Sequence, residues 1–330
     1  MVSLLKLNYS NFEDFLSLLR NRGEAPEDYY RWKYLEQPTY GHPSGFIAYI
    51  DNKSVGCIGI INRMYRGKDG KDRSATWFAD WFVNDTARGQ RIGEALMREV
   101  CKTSDFNFGI PGPVKAQHVC KQANYKPIEG FVEHTLYIKP FRCGYKRFAG
   151  SGLKKKLRGL KTVLFSLSSL LKLSLTKQKF SLKVGFPDTT QWVKRYGQVS
   201  EKISFARNDG FLNWFKNMPL APGSDRLWWS VDHAEVFACG FIETDFWGLR
   251  KVVIVDLYSA EPEKSLWEIA ATLSKENVDW ISLCYFDKQL TLKYWSRMSL
   301  PLHYSITNSI ADFHFTSVDK DSSWRSFLFA

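Results

Sequence analysis

The chain lacks the sequence features of several protein classes. Its 330 residues include only six cysteines, which are scattered singly with none of the spacings typical of zinc sites or disulfide frameworks. We therefore expect a reducing, cytoplasmic environment and no metal. The first residues show no charged segment followed by an apolar core, so no secretory signal is predicted. The longest apolar-leaning run, residues 163–175, contains serines and a lysine and is too short to span a bilayer.

Acidic residues are missing from one long segment. The net charge is +12, from 46 lysines and arginines against 34 acidic residues. Residues 139–183 contain 13 of the basic residues and no acidic residue, and subtracting these 13 leaves 33 basic residues elsewhere. The rest of the chain is therefore nearly neutral, and the basic character belongs to this segment.

Within that segment, residues 153–175 have the pattern of a basic amphipathic helix. Leucines recur at intervals of four and three, at positions 153, 157, 160, 164, 167 and 171. Basic residues crowd the first turns: Lys154, Lys155, Lys156, Arg158 and Lys161. One interpretation places the helix in the headgroup region of an anionic membrane. A second, slightly favoured because a linker must bury its leucines, docks it between two domains with the leucines inward. Nucleic-acid binding ranks third, because few aromatic residues lie beside the cluster.

A junction between a strand and a helix carries the clearest chemical signal. Residues 76–83 are mostly apolar and aromatic and contain no strand breaker, as a buried strand requires. The turn and capping residues Asn84, Asp85 and Thr86 follow. Ile92, Leu96 and Val100 then recur at helical spacing. The first amides of a helix lack intrahelical partners, so its N-terminus attracts an anion. Arg88 adds positive charge, and Gly89 and Gly93 let the backbone approach a ligand closely.

This junction resembles motif A of the GNAT acyltransferases, whose pattern is Arg or Gln, two residues, Gly, one residue, then Gly or Ala. In the segment from Arg88 to Gly93, Arg91 replaces the first of the two spaced glycines. An arginine there either crowds the pyrophosphate or points outward and contacts the 3′-phosphate of coenzyme A. The resemblance implies acetyl-CoA as co-substrate. The implied cofactor-binding residues are Phe82, Val83, Arg88, Gly89, Gln90, Arg91, Ile92 and Gly93.

The resemblance also implies the catalytic groups. Amides near Phe82 and Val83 would polarise the thioester carbonyl. Asp80, embedded among aromatic residues, is the candidate general base acting through a water, and its alternative is a structural aspartate. Cys120 stands where many GNAT enzymes have a tyrosine acid, and its alternative is a small core residue.

The segment 29–34 predicts the acceptor site. By resemblance its helix overhangs the acceptor pocket, and Tyr30, Arg31 and Trp32 suit a sugar ring or a nucleotide diphosphate. The alternative is a tryptophan that plugs the sheet edge. The run is similar to GNAT proteins of bacterial surface-polysaccharide gene sets. That favours transfer to the primary amine of a small molecule, an amino sugar or its nucleotide- or lipid-linked form, over transfer to a protein or peptide amine.

The second half of the chain repeats the plan of the first without its chemistry. Trp214 matches Trp32 and Gly240 matches Gly59 at nearly the same separation. The corresponding passage, residues 259–269, has no glycine, and Glu261 and Glu263 stand where a pyrophosphate would approach, followed by the bulky Trp267. This half should therefore bind no coenzyme A.

These patterns predict an α/β protein with two GNAT-like domains, each a mixed, mostly antiparallel sheet flanked by helices. A catalytic domain covers residues 1–145, a basic helical linker 146–185 and a degenerate domain 186–330. The competing class is a non-catalytic, membrane-associated protein that has kept the fold, with Arg91 and the missing tyrosine as signs of decay. Either protein could lie peripherally at the inner face of the membrane.

Overall fold

The fold is known from a computed structural model of the chain. It describes residues 2–20, 26–66, 71–110, 114–128, 131–148, 153–177, 180–188, 190, 204–205, 208–219, 227–233, 236–245, 247–259, 261–286, 296–299 and 302–306.

The described chain up to Ile128 contributes six strands to the first sheet, together with four α-helices. The strands are β1 (Val2–Lys6), β2 (Gly45–Ile50), β3 (Lys53–Arg66), β4 (Asp72–Val83), β5 (Phe106–Gly109) and β6 (Lys126–Ile128). The helices are α1 (Phe12–Arg20), α2 (Glu27–Tyr34), α3 (Ile92–Cys101) and α4 (Val114–Gln122), with short 3-10 turns at Tyr9–Asn11 and Asp85–Ala87. The apolar stripe of α3 is buried against the sheet, as its spacing predicts.

The rest of the described chain supplies a second sheet of similar plan and two strands of the first. The strands are β7 (Phe131–Tyr137), β8 (Lys183–Val184), β9 (Ser204–Phe205), β10 (Leu227–His233), β11 (Val236–Thr244), β12 (Arg250–Ser259), β13 (Trp280–Phe286), β14 (Ser296–Ser299) and β15 (Leu302–Ile306), of which β9 and β15 belong to the first sheet. The helices are α5 (Pro140–Phe148), α6 (Leu153–Leu175), α7 (Asp209–Lys216) and α8 (Pro262–Leu273). The predicted architecture of two mixed, mostly antiparallel sheets flanked by helices is confirmed. Each sheet has one described parallel pair of strands, and a helix connects the two strands of the pair. Helix α3 connects β4 to β5, and α8 connects β12 to β13.

The two halves exchange strands. The first sheet runs β1-β2-β3-β4-β5-β15-β6, with β9 pairing β3, and the second runs β14-β7-β13-β12-β11-β10-β8. Strand β15 therefore lies between β5 and β6, while β7 lies between β13 and β14. The segment over residues 126–139 is divided between the sheets, because β6 belongs to the first and β7 to the second. Alternation of side chains fixes which face of a strand is buried, not which strand it pairs with.

The division of the chain into domains at residues 145 and 186 stays a prediction. The strand exchange means that these boundaries do not separate the two sheets. Each sheet contains a strand from the other half, so neither described sheet is complete within one predicted domain.

Two tryptophans join the halves at a site of approximate two-fold symmetry. Trp32 on α2 and Trp214 on α7 stack with ring centroids 4.5 Å apart and planes 8° apart. Each indole N–H donates to the backbone carbonyl of the other residue, at 2.7 Å and 2.8 Å. The guanidinium of Arg63, itself buried, stacks on Trp214 at 4.7 Å and on Phe211 at 4.3 Å. The internal match of Trp32 with Trp214 thus corresponds to a direct contact.

Helix α6 lies with its leucine stripe outward. Leu157, Leu160, Leu164, Leu167 and Leu171 are 45–65% exposed. The opposite face, with Ser166, Ser169 and Leu173, is buried. The preference for leucines buried between the domains is therefore wrong.

A charged anchor explains this orientation. Lys172 contacts Glu263 of α8 at 3.3 Å and lies 4.6 Å from the ring centroid of Trp267. Because serines are small, the buried face of α6 can approach α8 and β7 closely. No helix in the described ranges combines the length and the hydrophobicity that a membrane span needs.

We expect Trp32→Ala to lower the free energy of unfolding by about 3–5 kcal/mol, because it removes a buried ring and a buried hydrogen bond. Trp214→Ala should lower the free energy of unfolding by a similar amount. The loss in the double variant should be clearly smaller than the sum of the two single losses, because both changes remove the same contact. Urea denaturation of the full chain measures all three. The control is Trp247→Ala, at a partly exposed position, which should change stability by about 0.5 kcal/mol or less. Additive losses would contradict the coupling.

Candidate active site

A gap opens between two neighbouring strands of the first sheet. Pairing of β4 with β5 ends at Phe78 and Gly109, and β4 continues to Val83 without β5 beside it. Gly109 sits under the ring of Phe78, where a Cβ atom would lie only 2.6 Å from the ring. The absence of a side chain at Gly109 thus lets the two strands meet at the base of the gap.

The direction of the backbone places one amide on the gap side. The amide of Asn84 donates to the carbonyl of Val55 at 2.8 Å, toward β3. Successive residues of a strand direct their backbone groups to opposite edges. The amide of Val83 therefore faces the gap, whereas Phe82 pairs with Cys57 of β3.

A β-bulge interrupts β4 just before this point. Pairing with β3 shifts between Cys57 and Gly59, and Asp80 takes a left-handed conformation with φ 48°. The carboxylate Oδ2 of Asp80 accepts hydrogen bonds from Lys33 Nζ at 2.9 Å and from the Tyr34 hydroxyl at 2.5 Å. The side chains of Lys33 and Asp80 are 8% and 16% exposed, so this is a largely buried ion pair.

Helix α3 follows the free end of β4 after a short turn. Gly89 has φ 87°, and Arg91 at the N-cap is left-handed at φ 57° and ψ 22°. No side chain caps this terminus, so the first amides of α3 have no side-chain acceptor from the N-cap. Gly93 packs on Trp81, because a Cβ atom there would lie 3.1 Å from the indole ring.

Both arginines of the turn are held by carboxylates of their own segment. Arg91 makes a bidentate contact with Glu94, at 2.7 Å and 2.8 Å, and Arg88 contacts Asp85 at 2.6 Å. Of the two predicted orientations of Arg91, this contact matches the outward one. All these arginine side chains are mostly exposed, so each pair adds little stability.

Comparison with known proteins agrees with this geometry. Residues 8–111 match the model of the Acetyltransferase (GNAT) family. This segment, which includes β2 to β5 and α3, is therefore similar to a GNAT domain and is called the GNAT domain below. No curated protein matches the sequence.

Solved structures share the fold over nearly the whole chain. A GCN5-related N-acetyltransferase from Anabaena variabilis is 12% identical, with a TM-score of 0.62, covering 93% of this chain and 73% of that one. Eis1 from Mycobacterium abscessus is 11% identical, with a TM-score of 0.57, covering 94% and 74%. A probable N-acyltransferase from Enterococcus faecalis is 10% identical, with a TM-score of 0.58, covering 93% and 72%. The predicted resemblance to GNAT acyltransferases, with two related sheets, is confirmed.

The GNAT domain has features that fit an acyl-CoA. The glycine turn and the uncapped N-terminus of α3 suit a pyrophosphate. Beside them, the indole N–H of Trp81 is buried and has no hydrogen-bond partner among the described residues. A buried donor without a partner is costly, and a ligand accepting from it would remove that cost.

Cys120 lies inside the hydrophobic cluster that α3 and α4 form with the sheet, and its thiol is fully buried. Burial raises the pKa of Cys120 to about 12. The thiol thus stays protonated at neutral pH but is a weak acid. This environment supports the alternative of a small core residue, while the catalytic role stays a prediction.

The three predicted acceptor residues have different environments. Tyr30 and Trp32 are buried in the main core cluster, and one face of the Trp32 ring is covered by Trp214. Arg31 is 40% exposed and contacts Glu27 at 2.7 Å. Of the three, Arg31 alone presents a substantial polar surface.

Sequence reasoning missed Lys33 and Tyr34, the partners of Asp80. Tyr34 reaches Asp80 by lying across Gly59, where a Cβ atom would be 2.3 Å from its ring. Burial and then the charge of Asp80 raise the pKa of Tyr34 well above its usual value near 10, so the hydroxyl remains a donor. No local signal in the sequence pointed to this contact, because α2 and the bulge of β4 are separated by more than forty residues.

The described residues at the equivalent turn of the second sheet differ from those before α3. Helix α8 begins with Pro262, which has no amide hydrogen, and Glu261 precedes it. The amide of Glu261 donates to Ser259 Oγ at 3.0 Å, and Glu263 contacts Lys172. Two carboxylates and a proline thus occupy the turn that the GNAT domain keeps for an anion.

We expect Asp80→Asn to lower the free energy of unfolding by about 3–5 kcal/mol, because it leaves the buried ammonium of Lys33 without this counter-ion. Lys33→Met/Asp80→Asn should recover most of the loss, because both charges are then gone. Urea denaturation gives the stabilities, and thiol release from acetyl-CoA gives the rates. A double variant that is stable but inactive fits a chemical role of the ion pair. One that is stable and fully active contradicts a base role for Asp80.

Proposed function

We propose that the chain is an acetyl-CoA-dependent N-acyltransferase with its single site in the GNAT domain. The observation that carries the proposal is the gap between β4 and β5, with the amide of Val83 facing it and the glycine turn leading from the end of β4 into α3. The family match over residues 8–111 covers these elements. When bound, the acyl-CoA supplies an activated acyl group as a thioester.

The reaction is direct transfer. The acceptor amine attacks the thioester carbonyl, a C–N bond forms, the C–S bond breaks and coenzyme A leaves as a thiolate that takes up a proton. The amide of Val83 is suited to stabilise negative charge on the carbonyl oxygen. The N-terminus of α3 with Gly89 and Gly93 holds the pyrophosphate.

Asp80 accepts the proton of the amine, directly or through a water. Lys33 and Tyr34 hold its carboxylate at the bulge, next to the gap where the amine must enter. Their hydrogen bonds fix the orientation of the carboxylate, which a general base needs before the substrate arrives.

The acceptor is the primary amine of a small molecule, an amino sugar or its nucleotide- or lipid-linked form. Support comes from Arg31, a partly exposed guanidinium on the helix that also supplies Lys33 and Tyr34. It binds a carboxylate within the chain, and the same planar donor pair suits a phosphate of a linked sugar.

Binding of the donor can be tested with an added charge. Gln90→Glu places a carboxylate at the exposed turn before α3 and should weaken acetyl-CoA binding about threefold or more in calorimetric titrations. The matched control is Asn213→Asp on α7, which adds the same charge at an exposed position of the other half and should leave affinity unchanged. No binding to the unaltered chain would overturn the cofactor assignment. If both variants weakened acetyl-CoA binding equally, the assignment of the binding site to the N-terminus of α3 would be wrong.

The acceptor class can be tested by the release of free coenzyme A in the presence of candidate amines. We expect release with free or nucleotide-linked amino sugars, and at least tenfold slower release with peptides carrying lysine or a free N-terminus. Arg31→Gln should raise the KM for phosphate-containing acceptors more than for free amino sugars. Faster coenzyme A release with peptides than with amino sugars would contradict the small-molecule acceptor and indicate a protein amine instead.

A further inference from the structure

We propose that the outer face of α6 is a docking surface for an anionic phospholipid bilayer. The surface consists of the exposed leucines 157, 160, 164, 167, 171 and 175 on a helix that is about 35 Å long. The proposal is independent of the acyltransferase activity, because it concerns an element outside the GNAT domain.

The orientation of α6 is fixed by contacts on its other face. Lys172 is held by Glu263 and Trp267, and Leu173 packs into the core of the second sheet. Ser166 and Ser169 are buried on the same side. The helix thus buries two serines while a row of leucines faces out, the reverse of an ordinary surface helix. An exposed apolar row of this length marks an interaction surface.

Neighbouring helix α5 also exposes large aromatic side chains. It packs against α6 and exposes Phe141 and Tyr145, which are one helical turn apart on one face. Its other face is anchored, because the thiol of Cys143 donates to the carbonyl of Asp279 at 3.4 Å and Arg142 contacts the Asp279 carboxylate. Aromatic side chains beside leucines are typical of helices that lie at a membrane interface.

The charge of α6 favours an anionic bilayer over a second copy of the chain or a nucleic acid as the partner of this surface. Helix α6 carries six lysines and arginines and no acidic residue, and the whole stretch 139–183 is free of acidic residues. Leucines with basic residues fit a surface that is apolar inside and negative at its headgroups. A second copy of this chain would bring two such stretches together with no acidic residue in either to offset them. Nucleic acid would use the charge but leave the leucines exposed.

Vesicle flotation of the full chain tests the proposal. We expect the protein to float with vesicles of equal phosphatidylglycerol and phosphatidylcholine, and not with phosphatidylcholine alone. Leu164→Ser/Leu171→Ser should weaken flotation more than tenfold. The matched control is Val114→Ser/Val184→Ser, which changes two exposed apolar residues outside α6 and should float like the unaltered chain.

A second variant separates charge from hydrophobicity. Lys154→Gln/Lys155→Gln/Lys156→Gln should weaken binding at least tenfold, and 0.5 M salt should act in the same direction. Thermal unfolding followed by circular dichroism should show both variants folded, because the exchanged leucines are exposed. The proposal is overturned by failure of the unaltered chain to float, by equal flotation with neutral vesicles, or by unchanged flotation of the leucine variant. A leucine-dependent dimer in sedimentation without flotation would assign the surface to self-association instead.

Discussion

The exchange of β7 and β15 is the constraint on which the rest of the structure depends. Strand β5 forms one wall of the gap, and it is only four residues long. On one side it meets β4, and on the other it pairs along its whole length with β15 from the other half. The wall of the proposed acyl-transfer site is thus supported by residues almost two hundred positions away in the chain. The second half contributes to the site through this strand rather than through a ligand of its own.

The contact between Trp32 and Trp214 extends the same dependence to the acceptor side. Helix α2 supplies Lys33 and Tyr34 to Asp80, and its Trp32 is fixed by the equivalent residue of the other half. Both halves therefore have the packing tryptophan, whereas the passage into α8 has Pro262 and two glutamates where the passage into α3 has glycines. The two halves are alike in packing and differ in the chemistry of this passage.

Local patterns predicted what is local in this fold. The apolar run ending at Val83, the helix that begins at Ile92 and the helix over residues 153–175 all occur where periodicity and capping residues indicate them. The strand exchange could not be predicted in this way, because periodicity specifies a buried face and not a partner strand. The outward leucines of α6 were missed for a related reason. The rule that apolar stripes point inward was outweighed by one anchored lysine and by small serines that allow close packing. The partners of Asp80 lie 46 and 47 positions away, a distance that motif spacing does not bridge.

The position of β15 also affects how the protein is made. During synthesis β5 and β6 emerge early, but the strand that belongs between them follows only after residue 302 has been added. Until then the first sheet has two open edges, and open edges can pair with other chains. The nascent GNAT domain must remain unfinished while the second half is translated. Completion of the proposed acyl-transfer site therefore requires the synthesis of β15, so products truncated before residue 302 would carry the motif residues without the supported gap.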